Sequence, residues 1–541
     1  MRNFFTLIII SLLLSVNAIA QTWIPVGAKG FTEGKAKYSK MAIDHMGTPY
    51  IVFQDQANDL KATVMKYNGT AWETVGTPGF SYGEISYADI AIDASGTAYV
   101  VFSDDGMHEH SYVWKFNGTD WEIVGGEAAW GYSTTQHNSL AIDNEGTPYI
   151  ALRAAYAGGN IVIIKLNEYG TWNLLGNFGA CQEISISLDN SGVPYIVYQD
   201  NDWNKATVMK LNDRTWELVG DKAFTTGGVG SLSLAFNSEN TPFLSFALYA
   251  NSPALMSYNG SEWNYVGGNI INASEQGYYN SMVFDSKDEP YITFCSTTNE
   301  KVATVTTFNG DSWEKIGDPK VSDGEVSYTD IAIDSDDTKY ILYVDVANGE
   351  KLTVMKLVIL PPEITTQPSN KFDIYSGVNV KFSVEATNPD TWQWQVSTNE
   401  GSTFTDISDT ETYSNFNTSE LSFTAITALN NYQYRCVLSN EGGTVTSDAA
   451  TITVKSPTGI NSIEKEGISI FPVPAKDVLY IKSNEDLIVN AQIYDVHGKL
   501  LINETEESNN IKLNLTNLHG GTYIVKIKTE KNILTRKIII K

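Results

Sequence analysis

The sequence predicts an all-β protein in which the first two thirds of the chain repeat one four-stranded unit, and three observations predict it. A Trp-x-x-(apolar)-Gly motif recurs every 44 to 51 residues, at Trp23, Trp72, Trp121, Trp172, Trp216, Trp263 and Trp313. A second signature, which reads MAID, IAID or LAID in its clearest copies, also occurs seven times, at 41, 90, 140, 186, 234, 282 and 331. The 42% hydrophobic and 11% aromatic content is typical of folded material. Such periods are typical of propeller blades, which bury their faces against their neighbours.

One copy shows how a unit divides into strands. YADIAID (87–93) alternates polar and apolar residues as a strand does, DASGT forms a turn, and AYVVF (98–102) and SYVWKF (111–116) follow as two more strands. Asn117-Gly118 then favours a tight hairpin, because both central residues of a type I′ turn need positive φ. DWEIVG (120–125) completes the unit as its fourth strand.

The two ends of the repeat region are complementary. The last unit has three strands, through VMKL at 354–357, but no Trp motif follows it, whereas TWIPVG at 22–27 is a Trp motif without a unit before it. We expect residues 22–27 to supply the fourth strand of the last unit, which would remove the open sheet edges. The sequence therefore predicts a seven-bladed β-propeller within residues 21–360.

The recurring residues are interpreted as structural. A Trp at the same strand position of every unit is expected to pack between blades rather than to bind ligand. The aspartates before the turns can accept hydrogen bonds from backbone N–H groups, and the ligand spacing of a calcium loop is missing. We therefore interpret as turn residues Asp44, Asp93, Asp143, Asp189, Asp285 and Asp334.

The N-terminus and the charge constrain location and partners. Residues 1–20 combine Arg2, an apolar run and small residues before Gln21, which is the pattern of a secretory signal peptide. No later segment is apolar enough to span a membrane. With 63 acidic and 36 basic residues the net charge is −27, so nucleic acid is not an expected partner. The three cysteines, Cys181, Cys295 and Cys436, are widely separated and predict free thiols rather than a disulfide framework.

Residues 361–456 change character after a proline-containing linker. TWQWQVS (391–397) and NNYQYRCVLSNEGGTVTSDAATITV (430–454) resemble the immunoglobulin-like domains of secreted bacterial surface proteins. The resemblance implies a β-sandwich with Trp394 in its core and Tyr434 as the tyrosine-corner residue. Phe382 stands where a cysteine would pair with Cys436, which predicts a buried free thiol. Residues 457–467 are predicted to be a linker.

Residues 468–541 carry four separated motifs: FPVPAKD, D-x-x-GKLL, the strand G-x-Y-x-V-x-I, and a basic C-terminus. In this order they resemble the type A C-terminal sorting domain of the type IX secretion system. The resemblance implies a small β-sandwich, the type IX secretion machinery as a partner, and passage through the outer membrane of a gram-negative bacterium. It also implies removal of this domain, with release or attachment at the cell surface.

A candidate site is expected among the longer loops, which emerge on one face of the propeller. Loops of units 2 to 4 combine aromatic and imidazole residues, with Asp104 and Asp200 close to them in the sequence, and Arg153 interrupts the apolar end of a second strand there. The candidate ligand-binding residues are His108, His110, Trp130, Tyr132, His137, Arg153, Tyr156 and Trp203. Flat aromatic faces with planar hydrogen-bonding groups are typical of glycan binding.

The sequence leaves several functions open and implies no cofactor. Glycan binding or adhesion is favoured over catalysis. A uronate polysaccharide lyase is the enzymatic alternative, with His137 or Tyr132 as the base and Arg153 stabilising the developing charge. A structural surface protein without a small-molecule site is a third possibility, and three loop histidines could also hold zinc. A sialidase is disfavoured, because that family uses three arginines and this propeller has only Arg153 and Arg214.

Overall fold

A computed structural model describes residues 21–541, apart from 127, 131–133, 156–157, 249–251, 269, 272–276, 299, 318–320, 457–466 and 485. The predicted signal peptide, Tyr132, Tyr156 and most of the predicted linker therefore lie outside the described residues. The chain divides into two compact units, one up to residue 361 with 441–443 and one of residues 362–440 with 444–541. None of the described helices is long and apolar enough to cross a membrane.

Each repeat of the first unit forms four antiparallel strands, which we call inner, second, third and outer. The inner strands are Ala36–Ile43, Ile85–Ile92, Thr135–Ile142, the second half of Trp172–Leu188, Val229–Phe236, Gly277–Phe284 and Val326–Ile333. The second strands are Pro49–Asp55, Ala98–Asp104, Pro148–Ala154, Pro194–Asp200, Pro242–Leu248, Pro290–Ser296 and Lys339–Asp345. The third strands are Lys61–Tyr67, His110–Phe116, Asn160–Leu166, Ala206–Asn212, Ser252–Tyr258, Val302–Phe308 and Lys351–Ile359. The outer strands are Trp72–Thr74, Trp121–Ile123, the first half of Trp172–Leu188, Thr215–Leu218, Trp263–Tyr265, Trp313–Lys315 and Gln21–Pro25.

The third and fourth repeats share one strand. Trp172–Leu188 is the outer strand of repeat 3 and continues without a break as the inner strand of repeat 4, so the two repeats form one seven-stranded sheet. Each of the other five repeats forms its own four-stranded sheet. Short 3-10 helices lie between the second and third strands at Gln56–Asn58 and Asp105–Met107.

The repeat region closes through its own N-terminus. Gln21–Pro25 pairs antiparallel with Lys351–Ile359, with Trp23 opposite Leu357. This confirms the pairing predicted for the TWIPVG segment. The last repeat thus gains the fourth strand that its own sequence lacks, and no backbone edge is left open at that position.

The hydrophobic core lies between neighbouring sheets rather than within them. Each of seven buried clusters joins two consecutive repeats. One of them joins the last repeat to the first, with Leu342 packed in the same cluster as Ile51 and Phe53. Sheets that bury both faces against their neighbours around a closed ring form a β-propeller.

The recurring tryptophans lie at the interfaces between repeats. The indole nitrogen of Trp72 donates to the carbonyl oxygen of Val26 at 2.7 Å, and that of Trp121 donates to Val75 at 2.7 Å. Equivalent bonds are made by Trp23, Trp216, Trp263 and Trp313. The packing interpretation is confirmed. Trp172 is the exception: its indole nitrogen is buried without a hydrogen-bond partner among the described residues.

The aspartates after the inner strands are turn residues, as predicted. Oδ1 of Asp44 accepts hydrogen bonds from the backbone nitrogens of Met46 and Thr48, both at 2.9 Å. The same pair of bonds recurs at Asp93, Asp143, Asp189, Asp285 and Asp334. A carboxylate placed in this way satisfies two N–H groups of a tight turn.

The second compact unit begins with short strands around a core of its own. These strands are Glu363–Thr366, Lys371–Tyr375, Asn379–Ser383, Glu385–Thr387, Thr391–Ser397, Thr405–Asp406, Tyr413–Ser414, Glu420–Thr424, Gln433–Asn440, Gly443–Thr446 and Ala450–Lys455, with a 3-10 helix at Thr427–Leu429. Trp394 and Cys436 are buried and face each other across neighbouring strands. The Tyr434 hydroxyl pairs with the Tyr413 hydroxyl at 3.2 Å, which differs from the backbone bond of a tyrosine corner. All three cysteines are buried free thiols, as predicted.

The last strands of the chain surround a further core. They are Ile468–Phe471, Val478–Ser483, Ile488–Tyr494, Leu500–Glu504, Asn510–Asn514, Gly521–Thr529 and Ile533–Ile540. They form one sheet of three strands and one of four. Alternate residues of the strand Gly521–Thr529, such as Val525 and Ile527, are fully buried, and the intervening lysines face outward.

Candidate ligand-binding site in the propeller channel

Every inner strand carries a β-bulge near its beginning. The pairing register with the second strand shifts at this point in all seven repeats. The residues at the bulge, which we call bulge residues, are Tyr38, Tyr87, His137, Glu183, Ser231, Tyr279 and Tyr328. Six of them, all except Glu183, have positive φ between 47° and 61°. A bulge redirects the side chain that it carries, so these residues are set apart from the regular inward and outward alternation of the strand.

The bulge residues of five repeats form a continuous aromatic arc. Ring centroids are 4.7 Å apart for His137 and Tyr87, 5.3 Å for Tyr87 and Tyr38, 5.8 Å for Tyr38 and Tyr328, and 4.9 Å for Tyr328 and Tyr279. The hydroxyls of the four tyrosines have no hydrogen-bond partner among the described residues. Burial, followed by the neighbouring phenols, raises the pKa of Tyr328 to about 12. The Tyr328 hydroxyl therefore stays protonated at neutral pH and can donate as well as accept hydrogen bonds.

A cavity of about 310 Å³ lies along the inner strands and is lined by residues of all seven repeats. We call it the channel cavity. Two of its lining side chains are polar and buried without a partner among the described residues. Asn280 is 7% exposed, and neither its Nδ2 nor its Oδ1 is hydrogen-bonded. Ser39 is 4% exposed, and its Oγ also has no hydrogen-bond partner. Such groups are costly unless something in the cavity satisfies them.

A comparison of Asn280 with its equivalent in repeat 3 explains why Asn280 lacks partners. Asn138 occupies the same place after the bulge, accepts from the Ser111 hydroxyl and donates to Ser103 Oγ at 3.0 Å. Ser103 and Ser111 form a cross-strand pair, and the corresponding pair before Asn280 is Ala247 with Pro253. The residues that satisfy Asn138 have thus been replaced by residues without side-chain polar groups.

The channel cavity carries more acidic than basic groups. Lys40 lines the channel cavity with its side chain 43% exposed, and its Nζ lies 3.2 Å from Asp330 Oδ1. Burial lowers the pKa of Lys40, but Asp330 and Asp89 together outweigh it and the net shift is upward. Lys40 is therefore cationic at neutral pH.

The carboxylates of the channel also link neighbouring repeats. Asp89 accepts from the backbone nitrogen of Leu140 at 2.8 Å, and Glu183 accepts from those of Ser231 and Leu232 at 2.9 Å. Burial raises the pKa of Asp89 to about 6, against the opposing effect of Lys40. Burial also raises the pKa of Glu183. These side chains hold the ring together and give the cavity an acidic wall.

His137 does not lie in a loop, where the sequence analysis placed it, and Arg153 lies on the second strand Pro148–Ala154. TQHN continues the inner strand of repeat 3 through the bulge, so His137 lies on the strand Thr135–Ile142, lines the channel cavity and stacks beside Tyr87. The expectation of a loop position was wrong for His137. Arg153 donates from Nε to the Cys181 carbonyl oxygen at 2.8 Å and from Nη1 to Gln136. Burial, with a smaller contribution from Arg153, lowers the pKa of His137 to about 4.

The other predicted residues surround the same end of the propeller. Ala36 pairs with Asp55 and Asp55 with Lys61, so the bulges and the turns between second and third strands share one end of the sheets. His108 ends the 3-10 helix of such a turn, and His110 begins the following strand with its ring 6.1 Å from that of His108. Trp203 lies in the corresponding turn of repeat 4 and is 65% exposed.

The contacts of Trp130, of two predicted aspartates and of the three candidate histidines show what each can do. Trp130 is half-buried and forms a backbone bridge with Ser111. Asp104 and Asp200 are buried turn acceptors rather than members of an open cluster: Asp104 accepts from the backbone of Gly83, and Asp200 pairs with Lys222 at 3.0 Å. The three histidines do not converge, and the described residues contain no group of three or more His, Cys, Asp or Glu that could hold a metal ion.

Comparison with solved structures finds remote similarity to proteins that cover about half of this chain. The fucose-specific lectin from Aleuria aurantia is 17% identical, with a TM-score of 0.39 over 52% of this chain and 96% of its own. AofleA from Arthrobotrys oligospora is 11% identical, with a TM-score of 0.39 over 56% and 91%. A protein of unknown function from Dyadobacter fermentans is 10% identical, with a TM-score of 0.38 over 63% and 98%. Among curated proteins, no sequence matches this chain.

The C-terminal segment does match a family. Residues 469–541 match the secretion system C-terminal sorting domain. The match covers the strands from Ile468–Phe471 to Ile533–Ile540 and confirms the sorting domain predicted from FPVPAKD, D-x-x-GKLL and the G-x-Y-x-V-x-I strand. The chain thus ends in a domain that directs secretion.

Proposed function

We propose that this chain is a secreted, surface-displayed seven-bladed β-propeller that binds a saccharide at the mouth of its channel. The count of seven rests on the seven inner strands, the seven inter-repeat clusters and the closure by Gln21–Pro25. The immunoglobulin-like segment 361–456 acts as a spacer, and residues 1–20 direct export across the inner membrane. The sorting domain implies the type IX route through the outer membrane of a gram-negative bacterium.

The observation that carries the proposal is the unsatisfied amide of Asn280 beside the aromatic arc. An amide that is 7% exposed with no partner costs about 1–3 kcal/mol, and the same residue type in repeat 3 avoids this cost through two serines. A polar ligand that enters the channel cavity would restore those bonds. Asn280 is therefore better explained by binding than by packing.

A saccharide fits the remaining chemistry of the cavity. The C–H face of a pyranose packs on aromatic rings, and its hydroxyls exchange hydrogen bonds with phenols, amides and carboxylates. Tyr38, Tyr87 and Tyr328 supply rings and free hydroxyls, and Asn280 supplies a donor and an acceptor. In this proposal Trp203, His108 and His110 extend the binding surface outward from the channel mouth. Tyr132 and Tyr156, which lie outside the described residues, stay proposed ligand-binding residues on the basis of the sequence alone.

The lyase alternative is less well supported. A base that abstracts the proton next to a carboxylate works best with a pKa near the operating pH, and the pKa of His137 is lowered to about 4. Arg153 is engaged with Cys181 and Gln136 and does not line the channel cavity. The acidic wall of Asp89 and Glu183 would also repel a uronate.

Glycan-array binding of the mature protein, followed by titration of the best saccharide, tests the proposal. Asn280→Ala and Tyr87→Ala should each weaken binding by about tenfold or more. The matched control is Tyr169→Ala, because Tyr169 is 82% exposed on a hairpin turn at the opposite end of the sheets and should leave affinity unchanged. Equal affinities for all variants, or no binding on the array, would favour a structural protein. Ultraviolet-absorbing product from a uronate polymer would favour the lyase.

A separate experiment tests the export route. Deleting residues 468–541 should leave the propeller folded and retained in the periplasm, because the sorting domain has a core of its own and contributes no residue to the clusters between repeats. Secretion of the truncated chain at the level of the full chain would contradict this assignment.

A further inference from the structure

In three of the seven repeats, the loop after the outer strand places a phenyl ring on the tryptophan of the next repeat. Phe31 stacks on Trp72 with centroids 4.5 Å apart and an angle of 8°, and Phe80 stacks on Trp121 at 4.7 Å and 10°. Phe224 stacks on Trp263 at 4.9 Å and 7°. In these three interfaces a flat six-membered ring covers the indole face.

Repeat 5 lacks the phenyl ring at the equivalent position, as do repeats 2 and 6, where Ala129 and Val321 make the same backbone bond. The backbone nitrogens of Phe80 and Phe224 donate to Ala62 and Ala206, which pair with the sixth residue of the second strand in their repeats, as Pro253 does in repeat 5. Ile271 donates in the same way to Pro253, the second residue of the third strand of repeat 5, at 2.8 Å. An isoleucine therefore occupies the place of the phenylalanine, and among the described residues no phenyl ring stacks on Trp313.

A cavity of about 410 Å³ opens beside Trp313, lined also by Ile271, Phe294, Thr304, Asp311 and Ser312. We call it the Trp313 slot. Thr304 is 2% exposed and its Oγ1 has no hydrogen-bond partner among the described residues. The equivalent hydroxyls are satisfied elsewhere: Thr63 donates to Asp55 at 2.9 Å and Thr353 donates to Asp345 at 3.0 Å.

The partner of Thr304 is missing for a definite reason. Asp55 and Asp345 end the second strands of their repeats, and the residue that ends the second strand of repeat 6 is Ser296. Ser296 is hydrogen-bonded to Thr298 instead. Repeat 6 thus combines two departures at one place: an indole face without its phenyl ring and a buried hydroxyl without its acceptor.

We propose that the Trp313 slot is a second saccharide site, which takes one pyranose ring in the position of the missing phenyl. The ring lies on the indole of Trp313, one of its hydroxyls accepts from or donates to Thr304, and Asp311 and Ser312 meet hydroxyls at the rim. An aromatic ligand would fill the slot equally well but would leave Thr304 unsatisfied, so the observations favour the saccharide. This inference does not depend on binding in the channel.

The test uses the residue that three other repeats carry at this place. Ile271→Phe supplies the phenyl ring, and it should abolish binding in the slot while the melting temperature stays the same or rises. Binding is measured by saturation-transfer NMR with a panel of methyl pyranosides, in an Asn280→Ala background in which the channel site is weakened. A pyranoside that still binds to Asn280→Ala and is lost in the double variant supports the slot.

A second variant guards against misfolding of the first. Thr304→Val keeps the shape and removes the hydroxyl, so the protein should fold as well as the parent and lose about tenfold in affinity. Unchanged pyranoside binding in both variants would overturn the proposal, as would a failure of every pyranoside to bind the Asn280→Ala protein. Binding of methyl benzoate in place of pyranosides, lost in Ile271→Phe but kept in Thr304→Val, would overturn the saccharide assignment in favour of an aromatic ligand.

Discussion

The outer and inner strands of the repeat differ in what they keep constant. The outer strand begins with or contains tryptophan in all seven repeats, and six of the seven indoles donate to the preceding repeat. The inner strand keeps its bulge in all seven repeats but changes the side chain there, with tyrosine in four repeats and histidine, glutamate and serine in the others.

The difference separates packing from binding. Every interface between blades needs similar packing contacts, so a residue that serves packing should recur in every repeat. A ligand has no sevenfold symmetry, so a residue that serves binding should break the repeat. By this criterion the tryptophans are structural, and the bulge residues, Asn280 and the Trp313 slot are the places where a site is expected.

Opening the ring should have the largest effect on the packing side of the comparison. A chain that begins at Phe31 loses the strand Gln21–Pro25 and the buried Trp23, which is 6% exposed. We expect the free energy of unfolding to fall by more than the loss of about 3–5 kcal/mol for one buried tryptophan, because an unpaired strand edge is exposed as well. Denaturant unfolding measures this free energy, and a peptide of residues 21–30 added in excess should restore stability. A chain that melts like the mature protein would show that closure is dispensable.

Removing one recurrent tryptophan should have the next largest effect. Trp121 is 8% exposed, stacks under Phe80 and donates to Val75. Trp121→Ala should therefore cost about 3–5 kcal/mol of unfolding free energy. Trp203→Ala is the matched control, because Trp203 is 65% exposed and outside the repeat, and surface changes usually stay within about 0.5 kcal/mol. Similar losses in both variants would break the distinction between recurrent and solitary tryptophans.

The sequence predicted the fold much better than the site. The Trp period, the MAID signature and the Asn-Gly turns report local requirements that recur in every unit, so strands, turns and closure followed from them. The channel site was missed because YSKMAID looks like an ordinary strand start, and a bulge that reorients Tyr38 leaves no local mark. Aligning the seven inner strands could have revealed the variable position. The missing partners of Asn280 and Thr304 depend on residues of other strands, which only the structure places beside them.

A matched pair of asparagines tests the binding side of the comparison. Asn138→Ala removes the bonds of its amide to the Ser111 and Ser103 hydroxyls, which keep only their bonds to Thr135, so we expect a loss of about 1–3 kcal/mol of unfolding free energy. Asn280→Ala removes a side chain whose amide has no partner, so the unfolding free energy should stay the same or rise by up to about 3 kcal/mol. For saccharide affinity we expect the opposite order: Asn280→Ala should weaken binding more than Asn138→Ala does. If both variants are destabilised equally, the Asn280 amide is satisfied within the protein and does not mark a site.

The turns after the inner strands should show the smallest effect, and they test whether every departure from the repeat marks a site. Three repeats replace the turn glycine by Asn240, Asp288 or Asp337, and these side chains accept from the preceding repeat's turn, as Asp337 does from the backbone nitrogen of Ser286 at 2.9 Å.

The Ser286 hydroxyl and backbone N–H lower the pKa of Asp337. Because the folded-state pKa lies below the unfolded value of about 3.9, this bond stabilises the protein above that pH and is lost as the pH falls through the folded pKa. Asp337→Asn should therefore lower the melting temperature slightly at pH 5, with the difference from the parent shrinking toward pH 2. Asp336→Asn, a neighbouring exposed change, should show no such pH dependence. A constant difference across this range would mean that the carboxylate charge does not contribute, and that the departure in this turn needs another explanation.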